Sequence, residues 1–265
     1  RFDGTFATVF YGNWAKAGIA NEFLYNANGL TVRNGEPVLT FLEEEPVPAV
    51  TYEVGSGKSN VGAGTLPGRA DWVIPPSGIS RIHYPGLWKL GTYRTDNGSG
   101  LGQPNGAITR PWNIAKFSEF YLIAAEAAVK GATGTESARE LVNVLRERAG
   151  KWRWKNNGNY AKVEDNSAAM VAATPATIDI NYILDERSRE LFGEGYRWDD
   201  LVRTQKWAEV AASYTICGSS AGDHVQVVYQ RTIEPYHYLR PIPQGQIDGL
   251  TMSDAEKDAY QNPGY

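Results

Sequence analysis

The pattern of apolar and polar positions changes near the middle of the chain. From residue 1 to about residue 110, Gly, Pro and Asn recur without a sustained helical period, which predicts loops with short strands at Val38–Leu42 and Ala49–Val54. From 111 to 265, apolar residues recur at helical spacing. Long loops in compact domains usually bind something or are covered by a partner segment. We therefore predict a loop-rich region over residues 1–110, which either has a binding function or lacks a covering segment, and a helical region over residues 111–265.

Two helices joined by a short loop are predicted after Pro111. The first helix has a predicted inward face made of Phe117, Phe120, Tyr121, Ala124 and Ala128. The second repeats this spacing from Ala138 to Ala149, and Ser137 with Glu140 forms a capping box at its start. Gly150 is placed to end it. Alanines on the facing sides favour close packing, as in tetratricopeptide-like helical hairpins.

Three further elements are predicted towards the end of the chain. A helix is expected from about Thr177 to Phe192, where Gly193 and Gly195 break the period. A second helix is expected from about Arg197 to Val210, and a strand from Val225 to Thr232. The fold class predicted from these elements is mostly α, with a helical hairpin and a loop-rich region that carries short strands.

Composition narrows the range of functions. The net charge of −4 and the pI near 5.5 argue against nucleic acid as a partner, because phosphate binding requires clustered Lys and Arg. A single cysteine, Cys217, excludes an internal disulfide and a zinc ribbon. No apolar run is long enough to cross a membrane. The 8 Trp and 15 Tyr include many in Gly- and Pro-rich stretches, which suggests ligand stacking by rings on loops.

The segment from Asp185 to Arg203, DERSRELFGEGYRWDDLVR, resembles the signature of the SusD/RagB family of glycan-binding outer-membrane lipoproteins of Bacteroidetes. Four further blocks resemble the family in the right order: Phe120–Ala127, Leu141–Gly150, Pro241–Gln244 and Gln261–Tyr265. The resemblance covers roughly Trp112 to Tyr265 and is only general before that. Because family members are markedly longer, this chain is expected to be the C-terminal part of such a protein.

The resemblance implies a SusD-like fold with tetratricopeptide-like hairpins, whose other copies lie upstream of Arg1. It implies non-catalytic carbohydrate binding, in which a nutrient oligosaccharide or polysaccharide is captured at the cell surface during polysaccharide utilisation. The implied partner for glycan uptake is a SusC-like TonB-dependent transporter in the bacterial outer membrane. Membrane association is expected only through a lipid anchor outside this chain, and neither a cofactor nor a metal is required.

The charged residues of the signature favour a structural role. They are expected to form an interleaved ion-pair network that joins two helices around the Gly193–Gly195 bend, with Trp198 and Leu201 as apolar anchors. The residues of this network are Glu186, Arg189, Glu190, Glu194, Arg197, Asp200 and Arg203. We therefore expect the ligand to bind elsewhere.

Several short motifs resemble catalytic or metal sites but are read as ordinary loops. Gly218–Gly222 fits a nucleophile elbow, yet a strand and not a helix is predicted after it. Gly55–Ser59 lacks the first glycine of a phosphate loop, and Asp96–Ser99 fits a plain turn better than a calcium loop. No metal-binding spacing connects the three histidines, which are His83, His224 and His237.

Paired acids are also present, and a glycosidase needs two carboxylates across a cleft. Glu43–Glu45 is interpreted as a solvated run, and Glu190 with Glu194 as scaffold. Asp199 and Asp200 should point different ways on a helix. We predict no catalytic residue.

Aromatic residues of the loop-rich region are the predicted ligand contacts, because a ring exposed on a loop can stack on a sugar face. These residues are Tyr11, Trp14, Trp72, Trp88 and Tyr93. Burial is the competing explanation for each ring. Trp152 and Trp154 have burial or partner contact as equal alternatives. Two other functions stay open, namely a peptide-binding member of the same family and a surface glycoside hydrolase.

Overall fold

The structure is a computed structural model that describes residues 2–11, 24–33, 35–51, 63–80, 83–87, 89–90, 112–151, 164–217 and 226–265. The chain divides into two compact units. The first contains Arg1–Glu194 and Cys217–Gln226, and the second contains Gly195–Ile216 and Val227–Tyr265.

Small sheets occupy the N-terminal part of the first unit. The elements in chain order are α1 (Phe2–Thr5), β1 (Phe6–Ala7), β2 (Val9–Tyr11), β3 (Leu24–Tyr25), β4 (Thr31–Val32), β5 (Pro37–Phe41), β6 (Trp72–Ile74) and β7 (Gly86–Leu87). β5 lies between β2, to which it is antiparallel, and β6, to which it is parallel. β1 pairs with β7, and β3 pairs with β4. Phe41 and Ile74 are register partners and are buried on one face of the larger sheet, and Val73 is buried on the other face.

The strand predicted at Val38–Leu42 is confirmed as β5 with a shift of one residue. The strand predicted at Ala49–Val54 is seen only at Thr51, which forms an isolated antiparallel bridge with Thr65. Residues 52–54 lie outside the described ranges.

A buried acid ties this sheet together. Asp71 accepts hydrogen bonds from Arg69 Nε at 2.9 Å, from Arg69 Nη2 at 2.6 Å and from Thr40 Oγ1 at 2.5 Å. Burial alone would raise the pKa of Asp71, but the hydrogen bonds from Arg69 and Thr40 hold it below its ordinary value. The ionised carboxylate therefore links β5 to the turn that precedes β6.

Four helices form the core of the rest of the first unit. They are α2 (Phe117–Val129), α3 (Ala138–Gly150), α4 (Ser167–Ala172) and α5 (Ile180–Glu190). α3 packs against α2 and α4, and α5 packs against α2. Ala125, Val142 and Ile183 are fully buried where three of these helices meet. Helix is the more frequent conformation in the described residues, in agreement with the mostly α prediction, whereas the tetratricopeptide-like packing stays a prediction.

The starts of α3 and α5 follow directly from the sequence. Ser137 and Glu140 form the predicted capping box, in which Glu140 Oε2 accepts from the Ser137 amide at 2.7 Å. Asp179 caps α5 through a 2.8 Å hydrogen bond from the Tyr182 amide. α3 ends at Gly150, as predicted, although Gly150 itself is still helical and Lys151 is the C-cap. A Cβ there would lie 2.6 Å from Met170 Cγ, so glycine allows the close approach of α4.

The predicted inward face of α2 is wrong. Phe117 and Phe120 are 75% and 59% exposed, whereas the buried residues of α2 are Ser118, Leu122, Ala125 and Glu126. The helix reads FSEFYLIAAEAAV, and it is apolar around most of its circumference. Such a pattern defines two apolar stripes, and neighbouring helices choose between them. The stripe that contains Leu122 faces the core.

The helix predicted from Thr177 to Phe192 is confirmed as α5, with Ile183 and Leu184 fully buried. Gly193 follows it with φ +78°, a left-handed conformation that glycine adopts without strain.

The second unit combines short helices with most of one strand pair, of which only Cys217 and Gln226 belong to the first unit. Its elements are α6 (Arg197–Thr204), α7 (Trp207–Val210), β8 (Ser213–Cys217), β9 (Gln226–Gln230), α8 (Gln244–Asp248) and α9 (Asp254–Tyr260). The single helix predicted from Arg197 to Val210 is wrong, because Gln205 is left-handed at φ +57° and separates α6 from α7. The strand predicted at Val225–Thr232 is confirmed as β9, which pairs with β8. Pro235–Tyr238 forms a 3-10 turn.

Within the described ranges, none of the helices combines the length and the apolar character that crossing a bilayer requires.

Candidate binding site

Two acidic residues of the signature on α5, Glu186 and Glu190, are buried and paired with bases. Glu186 is 0% exposed, and its Oε2 lies 3.4 Å from Arg146 Nη1 and 2.9 Å from Arg189 Nη2. Glu190 Oε1 accepts from Arg148 Nη2 at 2.6 Å. Arg146 and Arg148 both come from α3, so these pairs join α5 to its neighbour.

Glu194, just after α5, is paired with bases in a similar way. Its side chain is 4% exposed and pairs with Lys89 and with Lys116, the latter at 2.8 Å. Lys89 Nζ also donates to the carbonyl oxygen of Glu190 at 2.7 Å. Burial lowers the pKa of Lys89, although the hydrogen bond to Glu194 acts in the opposite direction. Lys89 therefore holds the C-terminal end of α5.

These contacts bear out part of the predicted network, because Glu186 pairs with Arg189 inside the signature, and they add partners from outside it. The interleaved network was expected inside the signature, whereas the bases that meet Glu190 and Glu194 come from α3 and from Lys89 and Lys116. In α6, Asp200 pairs with Arg203 at 2.8 Å, as an i, i+3 pair within the signature. Asp200 is buried and Asp199 is exposed, so adjacent acids do point different ways.

The aromatic residues predicted as ligand contacts are only partly described. Tyr11 ends β2 opposite Pro37 and is half-buried. Trp72 begins β6 opposite Leu39 and is also half-buried, so both rings lie on the sheet that contains β5. The other three predicted contacts lie outside the described residues, and they are Trp14, Trp88 and Tyr93. Their role as ligand contacts stays a prediction.

Several motifs also lie outside the described residues, namely Gly55–Ser59, Asp96–Ser99, Trp152, Trp154 and Gly218–Gly222 with His224. The Glu43–Glu45 run is described, and Glu45 Oε1 accepts from the Ser77 amide at 2.6 Å. Within the described ranges, no group of three or more His, Cys, Asp or Glu side chains is arranged to hold a metal ion.

A cavity of about 280 Å³ in the second unit is lined by aromatic side chains. Its lining includes Trp198, Trp207, His237, Leu239, Arg240 and Tyr265. Trp198 comes from α6 and Trp207 begins α7, so the left-handed turn at Gln205 brings both indoles to one place. Their ring centroids are 6.4 Å apart, with an edge-to-face angle of 86°. This geometry is a favourable one for aromatic pairs.

The segment from His237 to Pro241 supplies another wall of the cavity. His237 Nδ1 accepts a hydrogen bond from the Glu234 amide at 2.9 Å, so a neutral imidazole carries its proton on Nε2. Arg240 Cζ lies 4.3 Å from the centroid of the Trp198 ring, within the range of a cation–π contact. In the part of the chain that the structure describes, no carboxylate pairs with Arg240.

The last residues of the chain hold this wall in place. The side-chain amide of Gln261 exchanges two hydrogen bonds with the backbone of Ile242, at 2.7 and 2.9 Å. Asn262 Nδ2 donates to the carbonyl oxygen of Arg240 at 2.6 Å, and the Tyr265 hydroxyl donates to that of Leu239 at 2.9 Å. Tyr265 is nevertheless 50% exposed, so its ring is both fixed and available.

Sequence reasoning did not place this cavity. The sequence pattern predicts an apolar anchor at Trp198 and indicates no ligand role for Arg240, Trp207 or Tyr265. A usable signal was present, because the aromatic run Pro235–Tyr238 lies close to two blocks that resemble the family. The meeting of Trp198 and Trp207 depends on the turn at Gln205, which the helical pattern does not predict.

The fold and this cavity define a predominantly helical protein with a ligand-sized aromatic recess. A model of the SusD family matches residues 85–265, which is more than half of the chain, and the chain belongs to this family. The resemblance inferred from the signature is thereby confirmed. SusD-like protein P38 of Formosa agariphila is 37% identical over 104 residues, which cover 37% of this chain and 18% of that protein.

Proposed function

We propose that this protein binds a nutrient oligosaccharide or polysaccharide at the bacterial cell surface without cleaving it. It then passes the glycan to a SusC-like TonB-dependent transporter in the outer membrane. The observation that carries this proposal is the SusD family match over residues 85–265, because membership suggests glycan binding and uptake. Proteins of this family are generally non-catalytic binding proteins.

The geometry of the signature supports binding rather than catalysis. A glycosidase needs one protonated and one ionised carboxylate on opposite sides of an open cleft. Glu186, Glu190 and Glu194 are instead enclosed and matched with Arg or Lys. Removing one partner of such a pair would leave a buried charge without compensation, which is the behaviour of a structural contact.

Aromatic side chains are the proposed means of sugar recognition. In the loop-rich region, residues 1–110, the proposed contacts are Tyr11, Trp14, Trp72, Trp88 and Tyr93. The protein is held at the outer-membrane surface by a lipid anchor outside this chain, and it needs no cofactor.

Calorimetric titration of the 265-residue chain tests this function against a panel of oligosaccharides and peptides. Each mixture is then incubated for a long period and separated by chromatography. We expect heat of binding with at least one glycan and recovery of that glycan intact.

Two results would contradict the proposal. Shortened glycan products would identify a surface glycoside hydrolase. Binding of peptides together with no binding of any glycan would identify a peptide-binding member of the family.

A further inference from the structure

We propose that the cavity of the second unit is a subsite for an anionic sugar ring, with Arg240 as the residue that selects for charge. This inference rests on the proposed glycan-binding function and adds to it a place and a ligand class. The anionic group is a uronate carboxylate or a sulfate ester, since both present a planar or trigonal set of oxygens to a guanidinium.

The charge of Arg240 is the first reason. Its guanidinium lies 4.3 Å from the Trp198 ring centroid, and no carboxylate in the described ranges neutralises it. The residue itself is exposed, so an incoming anion can reach it. A guanidinium stacked on an aromatic face keeps its outer N–H groups directed along its own plane, which suits two-point recognition of an oxyanion.

The second reason is a fixed aromatic platform. Tyr265 exposes half of its surface, while its hydroxyl is bound to the Leu239 carbonyl and its ring packs edge-to-face on Tyr236 at 5.4 Å. A ring held in this way loses little conformational entropy when a ligand stacks on it. The apolar C–H face of a sugar ring fits such a surface.

His237 adds a directed donor. Because its Nδ1 accepts from the Glu234 amide, the neutral ring carries the proton on Nε2, which can donate to a sugar hydroxyl or to the anionic group. The cavity therefore combines a cation, a donor and a flat apolar surface, the three elements that an anionic sugar requires.

The volume limits the ligand to a short piece of a glycan. Ligand pockets commonly measure about 300–1,000 Å³, and this cavity, at about 280 Å³, lies at the small end. It fits one ring of a chain end or a branch, and the rest of the glycan would extend into solvent.

Three sets of galactose-based probes separate the possibilities: oligogalacturonates, sulfated galactan oligosaccharides and neutral galacto-oligosaccharides. We expect one or both acidic sets to bind, and the difference between them identifies the uronate or the sulfate as the source. Arg240→Gln should weaken binding of the acidic probe by about tenfold to a hundredfold, the loss expected for a charge-assisted hydrogen bond. Binding of neutral probes should not change.

Arg231→Gln is the matched control. Arg231 is also exposed and also lies 4.3 Å from an aromatic ring, that of Tyr214, but it does not line the cavity. Its substitution should leave binding of all three probe sets unchanged. Circular dichroism and the melting temperature of both variants establish that each is folded.

Substitutions of Tyr265 test the subsite independently of Arg240. Tyr265→Phe keeps the ring and should retain most of the affinity for the acidic probe, whereas Tyr265→Ala should lower it about tenfold or more.

The subsite is overturned if folded Arg240→Gln binds acidic probes as tightly as the wild type does. It is also overturned if the loss is equal for neutral probes. In both cases glycan binding persists, so the proposed function stands. Absence of binding to every glycan, or an effect of Arg240→Gln on acidic peptides alone, overturns the subsite and the proposed function together.

Discussion

In the first unit Glu186 and Glu190 of α5 are buried and paired with bases, whereas in the second unit Arg240 lies exposed on the face of Trp198. Glu186, Glu190 and Trp198 all lie in the signature, Asp185–Arg203, and Arg240 immediately precedes the Pro241–Gln244 block. A paired, buried charge contributes to the fold because removing its partner leaves an ion without compensation. An exposed guanidinium that no described acid neutralises can still donate hydrogen bonds to an anionic ligand. Burial and pairing, rather than residue type, separate the scaffold from the candidate site.

The aromatic residues follow the same division. Phe41, at the end of β5, is buried. Tyr265 is 50% exposed, and its hydroxyl donates a hydrogen bond to the Leu239 carbonyl oxygen. A fixed and accessible ring is the arrangement that suits stacking. The comparison between the two units therefore predicts large stability effects in the first and smaller, local effects in the second.

The largest effect is expected for Glu186→Ala. Glu186 is 0% exposed and pairs with Arg146, which would be left as a buried cation. Loss of one partner from a buried pair lowers the free energy of unfolding by about 3–5 kcal/mol. Urea denaturation followed by helical circular dichroism measures this change.

Asp185→Ala is its control on the same helix, since Asp185 is exposed. Its free energy of unfolding should stay within about 0.5 kcal/mol of the wild type. If the two variants were equally stable, the buried pairs would not be what holds α5 in place.

A second prediction concerns the two faces of α2. Leu122 is fully buried, so Leu122→Ala should lower the free energy of unfolding by about 2–5 kcal/mol, through lost burial and an unfilled cavity. Ile123 is 51% exposed, and Ile123→Ala should change it by only about 0.5 kcal/mol. The same denaturation experiment compares them. Equal losses would mean that both stripes of α2 are buried in solution.

The α2 helix also shows how far sequence reasoning extends. Its bounds were predictable within one or two residues, because Lys130 and Gly131 end the period and Ser137 with Glu140 starts the next helix. Its buried face was not predictable, because apolar residues surround the helix and the choice depends on residues distant in sequence such as Ile183. Local sequence patterns determine where a helix begins and ends, but tertiary packing determines which face of the helix is buried.

The candidate site was less predictable than the fold. Trp198 and Trp207 meet because Gln205 adopts a left-handed conformation, which is uncommon for a residue other than glycine and has no signature in the sequence. The ring of Tyr265 is placed by hydrogen bonds from Gln261 and Asn262 to segments about twenty residues away. A cavity built from such long-range contacts cannot be inferred from periodicity, although the family resemblance did identify two of the blocks that form it.

The smallest effect is expected for Gly264→Ala in the second unit. Gly264 has φ +94°, and a Cβ there would lie 2.4 Å from Tyr236 Cγ, so the alanine must strain the backbone and displace that ring. We expect a local cost of about 1–3 kcal/mol, with loosening of the contacts of Gln261 and Tyr265. The Ile242 amide, which donates to Gln261 Oε1 at 2.7 Å, should then exchange its hydrogen faster.

Gly249→Ala provides the control for that measurement. Gly249 has φ −74°. A Cβ at this position would lie 3.5 Å from the Gly245 carbonyl oxygen, which is an ordinary van der Waals contact. Exchange at Ile242 should therefore match the wild type in this variant. Unchanged exchange in Gly264→Ala as well would show that the terminal residues do not fix the cavity wall, and the fixed position of the Tyr265 ring would lose its physical basis.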